Sequence, residues 1–246
     1  IGMEIENIQA AAAGAHRVDE FMSAPEREMP DAPAPSAADD AVRVRDVCFG
    51  YGDGNVLDNL SFGAKRGESV TLCGRTGAGK TTIFRLLLGL YAPQSGTVSI
   101  FGAPAGKIRD ADKRKLFGYV EQSFRKVPGT VWEQITLCDP GIDRDAMERA
   151  AKLVELDEYI SSLPRGYDTP FSETLFSQGQ LQLLSIARAV AADPEILLLD
   201  EITANLDSGT EEAVTAALDR ASENRTVLAI SHRLNTETER GRLVRI

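Results

Sequence analysis

Residues Gly74-Arg75-Thr76-Gly77-Ala78-Gly79-Lys80-Thr81 spell a glycine-rich turn that ends in a lysine and a hydroxyl residue. Such glycines let consecutive backbone N–H groups curl around phosphate oxygens, and a helix begun at Lys80 adds the positive end of its dipole. Lys80 then reaches the β and γ phosphates of a nucleotide, and the Thr81 hydroxyl suits a Mg²⁺ ion. Further along, the aliphatic run 196–199 ends in Asp200-Glu201. Two acids at the carboxyl end of a buried strand stand where open α/β sheets bind ligands. Asp200 suits the Mg²⁺ shell, and Glu201, pointing the other way, suits a base or water-positioning role. His232, in Ile230-Ser231-His232-Arg233, follows a second apolar strand at its carboxyl end, but a lone histidine there reads as structural, and so does His16.

Residue patterning supplies the elements that must hold these groups. Alternating valines predict a strand over 42–49, and Ser69–Cys73 reads as a short apolar strand feeding the glycine turn, with a helix from 80 to 90 after it. Further strands are expected at 97–101 and Phe117–Val120, around a charged helix near 110–115. From 131 to 192 the pattern is helical almost throughout, clearest at 143–156 and 180–191. Strands return at Ile196–Asp200 and 226–230, with a helix over 208–223 between them. This is a strand-rich α/β core with a helical block inserted in it.

The chain has 246 residues, 37 acids against 27 bases, and a formal charge of -10. Nine of the acids but only two of the bases fall in the first 40 residues, so the rest, with 28 and 25, is close to neutral. The charge therefore does not exclude a polyanionic ligand for the body of the chain. Ile1, Ile5, Ile8, Ala12, Ala15, Val18 and Met22 recur at helical spacing over residues 1–24, until Pro25. This helix either packs on its own domain or continues from an upstream segment. Residues 25–40, with Pro25, Pro30, Pro33 and Pro35, read as an extended linker, and the main domain as 41–246. Cys48, Cys73 and Cys138 form no CxxC pair, which argues against zinc and disulfides alike. The longest aliphatic run is far below the ~20 residues that span a bilayer.

The phosphate loop alone leaves kinases, GTPases and helicases open. Phe176-Ser177-Gln178-Gly179-Gln180, running into 181–190 just upstream of the Ile196 strand, closely resembles the L-S-G-G-Q signature of ATP-binding cassette (ABC) proteins. The resemblance covers about residues 42–246. It implies a P-loop NTPase of the ABC ATPase type: a mixed β core, an inserted α-helical subdomain at about 126–190 and an antiparallel β part near the N-terminus. It also implies ATP and Mg²⁺ as ligands, with residues 74–82, from Gly74, Arg75, Thr76, Gly77, Ala78 and Gly79 to Lys80, Thr81 and Thr82, around the phosphates. Tyr51 matches the aromatic that stacks on adenine. Gln122 matches the glutamine that touches Mg²⁺ and the attacking water. Asp207 matches the loop that crosses a dimer interface, and His232 the histidine on the γ phosphate, which reverses its structural reading. Ser177, Gly179 and Gln180 are expected to seal the nucleotide of a second copy.

Residues 8–22 resemble the end of the last membrane-domain helix of exporter-type members, and 127–135 resemble the stretch after the glutamine loop in exporters. The expectation is an ATPase domain on the cytoplasmic face of a membrane, itself soluble, paired with a second ATPase domain and a transmembrane domain. The family pattern is departed from at Phe176 and Gln178, in the short stretch 167–175, and in the short tail after His232. A soluble ABC ATPase acting on nucleic acid or the ribosome is the rival. It is disfavoured because no long heptads separate Lys80 from Asp200, and the only tight basic cluster is Lys113-Arg114-Lys115. No nucleic-acid partner is expected. An importer ATPase subunit would leave residues 1–24 unexplained.

Overall fold

The structure, a computed structural model, describes residues 14, 17–19, 22–23, 30–35, 38–52, 54–75, 77–202, 208–231 and 241–246. The chain divides into two units, Ile1–Pro30 and Asp31–Ile246. In the first, residues 14, 17–19, 22 and 23 are helical, and the Ser23 hydroxyl donates to the Asp19 carbonyl one turn back. Ile1, Ile5, Ile8, Ala12 and Ala15 of the expected stripe lie outside the described residues.

The second unit begins with an extended segment, part of the stretch expected as linker. Pro33 and Pro35 have no N–H, so Ala32 and Ala34 supply the donors. Ala32 donates to the Lys107 carbonyl and accepts from the Arg109 N–H, both at 2.9 Å, and the Ala34 N–H reaches Asp112 Oδ2 at 3.3 Å. Strands β1 (Asp40–Tyr51) and β2 (Gly54–Lys65) follow as an antiparallel hairpin. Strand β3 (Ser69–Cys73) leads through the glycine turn into α1 (Lys80–Leu87). The helix stops short of the expected 90 because Gly89, at φ 65°, takes up a left-handed turn. Strands β4 (Ser95–Ile100) and β5 (Ala103–Pro104) complete a sheet of order β2-β1-β4-β5.

Helix α2 (Asp110–Leu116) runs directly into β6 (Phe117–Val120). Four helices come next: α3 (Val131–Thr136), α4 (Arg144–Leu153), α5 (Asp157–Ser162) and α6 (Gln178–Val190). Caps explain where they start: Thr130 and Glu133 form a capping box on α3, and Asp143 accepts from the Ala146 N–H at 2.8 Å on α4. The rest is β7 (Ile196–Asp200), α7 (Ser208–Ser222), β8 (Thr226–Ser231) and β9 (Arg242–Arg245).

The second sheet has the order β6-β7-β8-β3-β9 and is parallel throughout. Strand β7, paired on both sides, shows why the run 196–199 has no polar alternation. Ile196 and Leu198 face one hydrophobic cluster with Phe84, Leu72 and the antiparallel sheet, while Leu197 and Leu199 face another with α3 to α7. Both faces are covered, as parallel sheets require. One consequence is that β3, β6, β7 and β8 all end on the same edge, bringing Cys73, Val120, Asp200 and Ser231 to one rim.

Gly118 in β6 is a close-approach point. A Cβ there would meet the Ala189 carbonyl oxygen at 2.5 Å and Leu197 Cδ2 at 2.7 Å. Gly118→Ala is expected to cost about 2 kcal/mol through overpacking, read as a lower urea midpoint at unchanged slope.

Candidate active site

The phosphate loop is built by its glycines. Gly77 and Gly79 take φ of 84° and 88°, the left-handed region that side chains resist. A Cβ on Gly79 would also strike Val56 and Leu57 of β2 at 2.8 and 2.7 Å. Helix α1 starts with no side-chain cap and no acid in its first turn, so its leading N–H groups and dipole are left for an anion. Lys80 is buried, and its ammonium donates to the Gly74 and Arg75 carbonyls at 2.9 and 3.0 Å. These bonds fold the loop around the charge that would meet phosphate. Ala78 and Thr82 stand in the same turn, and Thr76 lies outside the described residues.

The carboxyl end of β7 lies beside this turn. The Thr81 hydroxyl donates to Asp200 Oδ2 at 3.5 Å, and the Tyr119 phenol donates to the same oxygen at 3.0 Å. Burial, with Asp200 beside it, pushes the Tyr119 pKa up, so the phenol keeps its proton and remains a donor. Glu201 follows at φ 52°, an uncommon conformation for a residue with a side chain, and it turns the chain sharply out of the strand. A hydroxyl and a carboxylate converging from two elements suit a hard cation such as Mg²⁺, which takes oxygen ligands and is normally completed by substrate phosphates. Among the described residues no cluster of three or more histidine, cysteine or acidic side chains offers a closed metal cage.

Tyr51, at the end of β1, is 44% exposed and stands edge-on to Phe49 and Tyr91, with centroids at 5.0 and 5.5 Å. Its hydroxyl lies 3.3 Å from Thr82 Oγ1 and accepts from Arg85 Nη1 at 3.1 Å, which ties the ring to α1. Burial raises the Tyr51 pKa, but the bonds to Thr82 and Arg85 and the Arg85 charge together outweigh it and lower the value. Gln122 is exposed two residues beyond β6. Asp207 and His232 lie outside the described residues.

The signature residues form a separate feature at the start of α6. Ser177 is its exposed N-cap, accepting from the Gln180 N–H at 3.2 Å, while Gln180 Oε1 accepts from the Ser177 N–H at 2.8 Å. Gly179 is buried, and a Cβ on it would lie 2.4 Å from Thr210 Cγ2, so α7 packs where only glycine fits. The unusual Phe176 has a partner: its ring stacks on Phe171 at 5.6 Å, and Phe171 touches Phe124 of the loop after Gln122.

Sequence reasoning missed three of these side chains: Tyr119, Arg85 and Arg188. The last, on α6, donates to the Gln134 and Arg125 carbonyls at 2.6 and 2.8 Å and lies 4.4 Å above the Phe124 ring. Burial pushes it down to about 10, which leaves it charged at neutral pH. It fastens the glutamine loop to the signature helix. Nothing in its helical pattern marks it, because the partners are backbone carbonyls far away in sequence.

The ABC transporter family model matches residues 57–204. The uncharacterized ABC transporter ATP-binding protein YfiC of Bacillus subtilis is 39% identical over 238 residues, 95% of this chain and 39% of that protein. The ATP-dependent lipid A-core flippase of Pseudomonas aeruginosa is 35% identical over 234 residues, 93% of this chain and 39% of the flippase. A solved bacterial Atm1-family ABC exporter with ATP bound superposes with a TM-score of 0.80 at 30% identity, covering 100% of this chain and 44% of the other. The chain thus spans about two-fifths of the length of these relatives.

Proposed function

Because the chain belongs to the ABC transporter family, as an ATP-hydrolysing domain, we propose that it powers export of a substrate across a membrane, working at the cytoplasmic face as one of a head-to-tail pair. The relatives that support this are the flippase and the exporter above. In this reading a transmembrane domain and a second ATPase domain are its partners, and residues 1–24 continue from the last membrane helix. Residues 25–40 follow as the linker, whose part from Asp31 onward belongs to the main unit and is hydrogen-bonded to it through Ala32 and Ala34.

ATP lies on residues 74–82, with Tyr51 against the adenine and the N–H groups of the loop and α1 on the phosphates. Thr81, Asp200 and Gln122 would hold a Mg²⁺ ion, which would supply neutralisation of phosphate charge. Glu201 orients and polarises the attacking water, and Lys80 and His232 stabilise the charge that gathers on the transferred phosphoryl, so catalysis is mostly positioning and electrostatics. Asp207 is assigned to the contact with the other copy.

The observation that carries the paired arrangement is the exposed N-terminus of α6. Ser177 and Gln180 satisfy one another there, and the remaining N–H groups of that first turn point away from their own helix, ready for the γ phosphate of a second copy. The test is the dependence of ATP turnover on chain concentration. Turnover per chain should rise with concentration and level off once pairs are complete. A rate per chain that is constant down to nanomolar concentration would reject the shared site.

A further inference from the structure

Asp200 Oδ2 receives two donors, the Thr81 hydroxyl at 3.5 Å and the Tyr119 phenol at 3.0 Å. Thr81 has a place in the site proposed above; Tyr119 has none. It sits on β6, opposite Leu198 of β7, and its strand runs on within three residues to Gln122. The ring stands edge-on to Phe84 of α1, at 6.0 Å and 88°, and Phe84 is fully buried. One side chain therefore touches both the helix that carries Lys80 and Thr81 and the carboxylate at the end of β7. A carboxylate at a strand end has two free torsions, and a donor anchored by a buried ring removes that freedom.

We propose that Tyr119 is a positioning residue for the cation site: its O–H holds the Asp200 carboxylate in the orientation in which Asp200 and the Thr81 hydroxyl serve one divalent cation. The proposal rests on the nucleotide reading of the site. Partners that orient a metal ligand typically change metal affinity ten- to a hundred-fold, and Tyr119 is one of two donors on Asp200, so about ten-fold is expected.

The probe is Mn²⁺ with ADP on the full chain, with free Mn²⁺ counted by electron paramagnetic resonance. Asp200→Asn tests the underlying reading, and if it leaves nucleotide-dependent Mn²⁺ binding unchanged, the cation site itself is misplaced. Tyr119→Phe keeps the ring on Phe84 and removes only the O–H. It should weaken Mn²⁺ binding about ten-fold while ADP binding in chelator and the thermal midpoint hold. Added to Asp200→Asn, it should have no further effect on Mn²⁺. The proposal is overturned by unchanged or tighter Mn²⁺ binding in Tyr119→Phe, or by an equal loss when Asp200 is already replaced. It is equally overturned if Tyr119→Phe lowers the thermal midpoint and metal-free ADP binding together, which would make Tyr119 a packing residue only.

Discussion

Glu201→Gln is expected to keep ATP binding and to lower ATP turnover by at least about 100-fold, the range for removal of a positioned base. Gln has the same size and tolerates the φ of 52° no worse than Glu, so the sharp exit from β7 is retained. The neighbouring bonds of Thr81 and Tyr119 to Asp200 do not involve residue 201 and should persist. What is lost is the carboxylate assigned in the proposed site to polarise the attacking water. If, as proposed, hydrolysis releases a nucleotide that joins two copies, the variant should accumulate as an ATP-bound pair, visible by light scattering as a doubling of mass that ADP does not produce. Turnover at the wild-type rate would remove Glu201 from the role of base.

In the proposed site Lys80 lies on the other side of the phosphate, so Lys80→Ala should affect binding as well as rate. The ammonium is buried and holds two loop carbonyls, so its removal takes away the charge facing the phosphates and leaves the Gly74 and Arg75 carbonyls without that donor. Hydrogen bonds to a charged group contribute about 1.5 to 3 kcal/mol each. ATP affinity should fall by roughly ten- to a hundred-fold, with turnover lost at any practical ATP concentration. Equilibrium binding of a fluorescent ATP analogue measures it. Full affinity together with full turnover would contradict the loop assignment.

The groups assigned to phosphate in the proposed site stand out in the sequence because each sits where one local rule applies. Glycines mark the turn from 74 to 79, and four aliphatics in a row mark a strand covered on both faces, so the acids that end it must lie at the rim. Strand β2 escaped the same reading. It lies at an edge of its sheet, Asn59 takes φ 48°, and repeated shifts in its register with β1 put the buried positions out of step, so no period of two survives. Strand β9 has only one half-buried position among exposed ones and leaves equally little trace.

Tyr119 and Arg188 were hidden for a different reason. Tyr119 reads as one more strand aromatic until β6 is placed beside β7, and only then does its hydroxyl reach Asp200. Arg188 reads as one polar residue in an apolar helix, and its partners lie more than fifty positions away. Phe176 looked like a departure from the family pattern, and its stacking on Phe171 accounts for it. Contacts of this kind belong to the tertiary arrangement and not to any local window of sequence.

The central claim is that one nucleotide site is made by two copies, the phosphate loop from one and the signature helix from the other. Mixing two inactive variants, Lys80→Ala and Ser177→Arg, tests it most directly. Each alone lacks an intact site, but a mixed pair contains one, formed by the wild-type loop of the second and the wild-type signature of the first. ATP turnover in the mixture should rise well above that of either variant alone. A mixture no more active than its components would contradict the account.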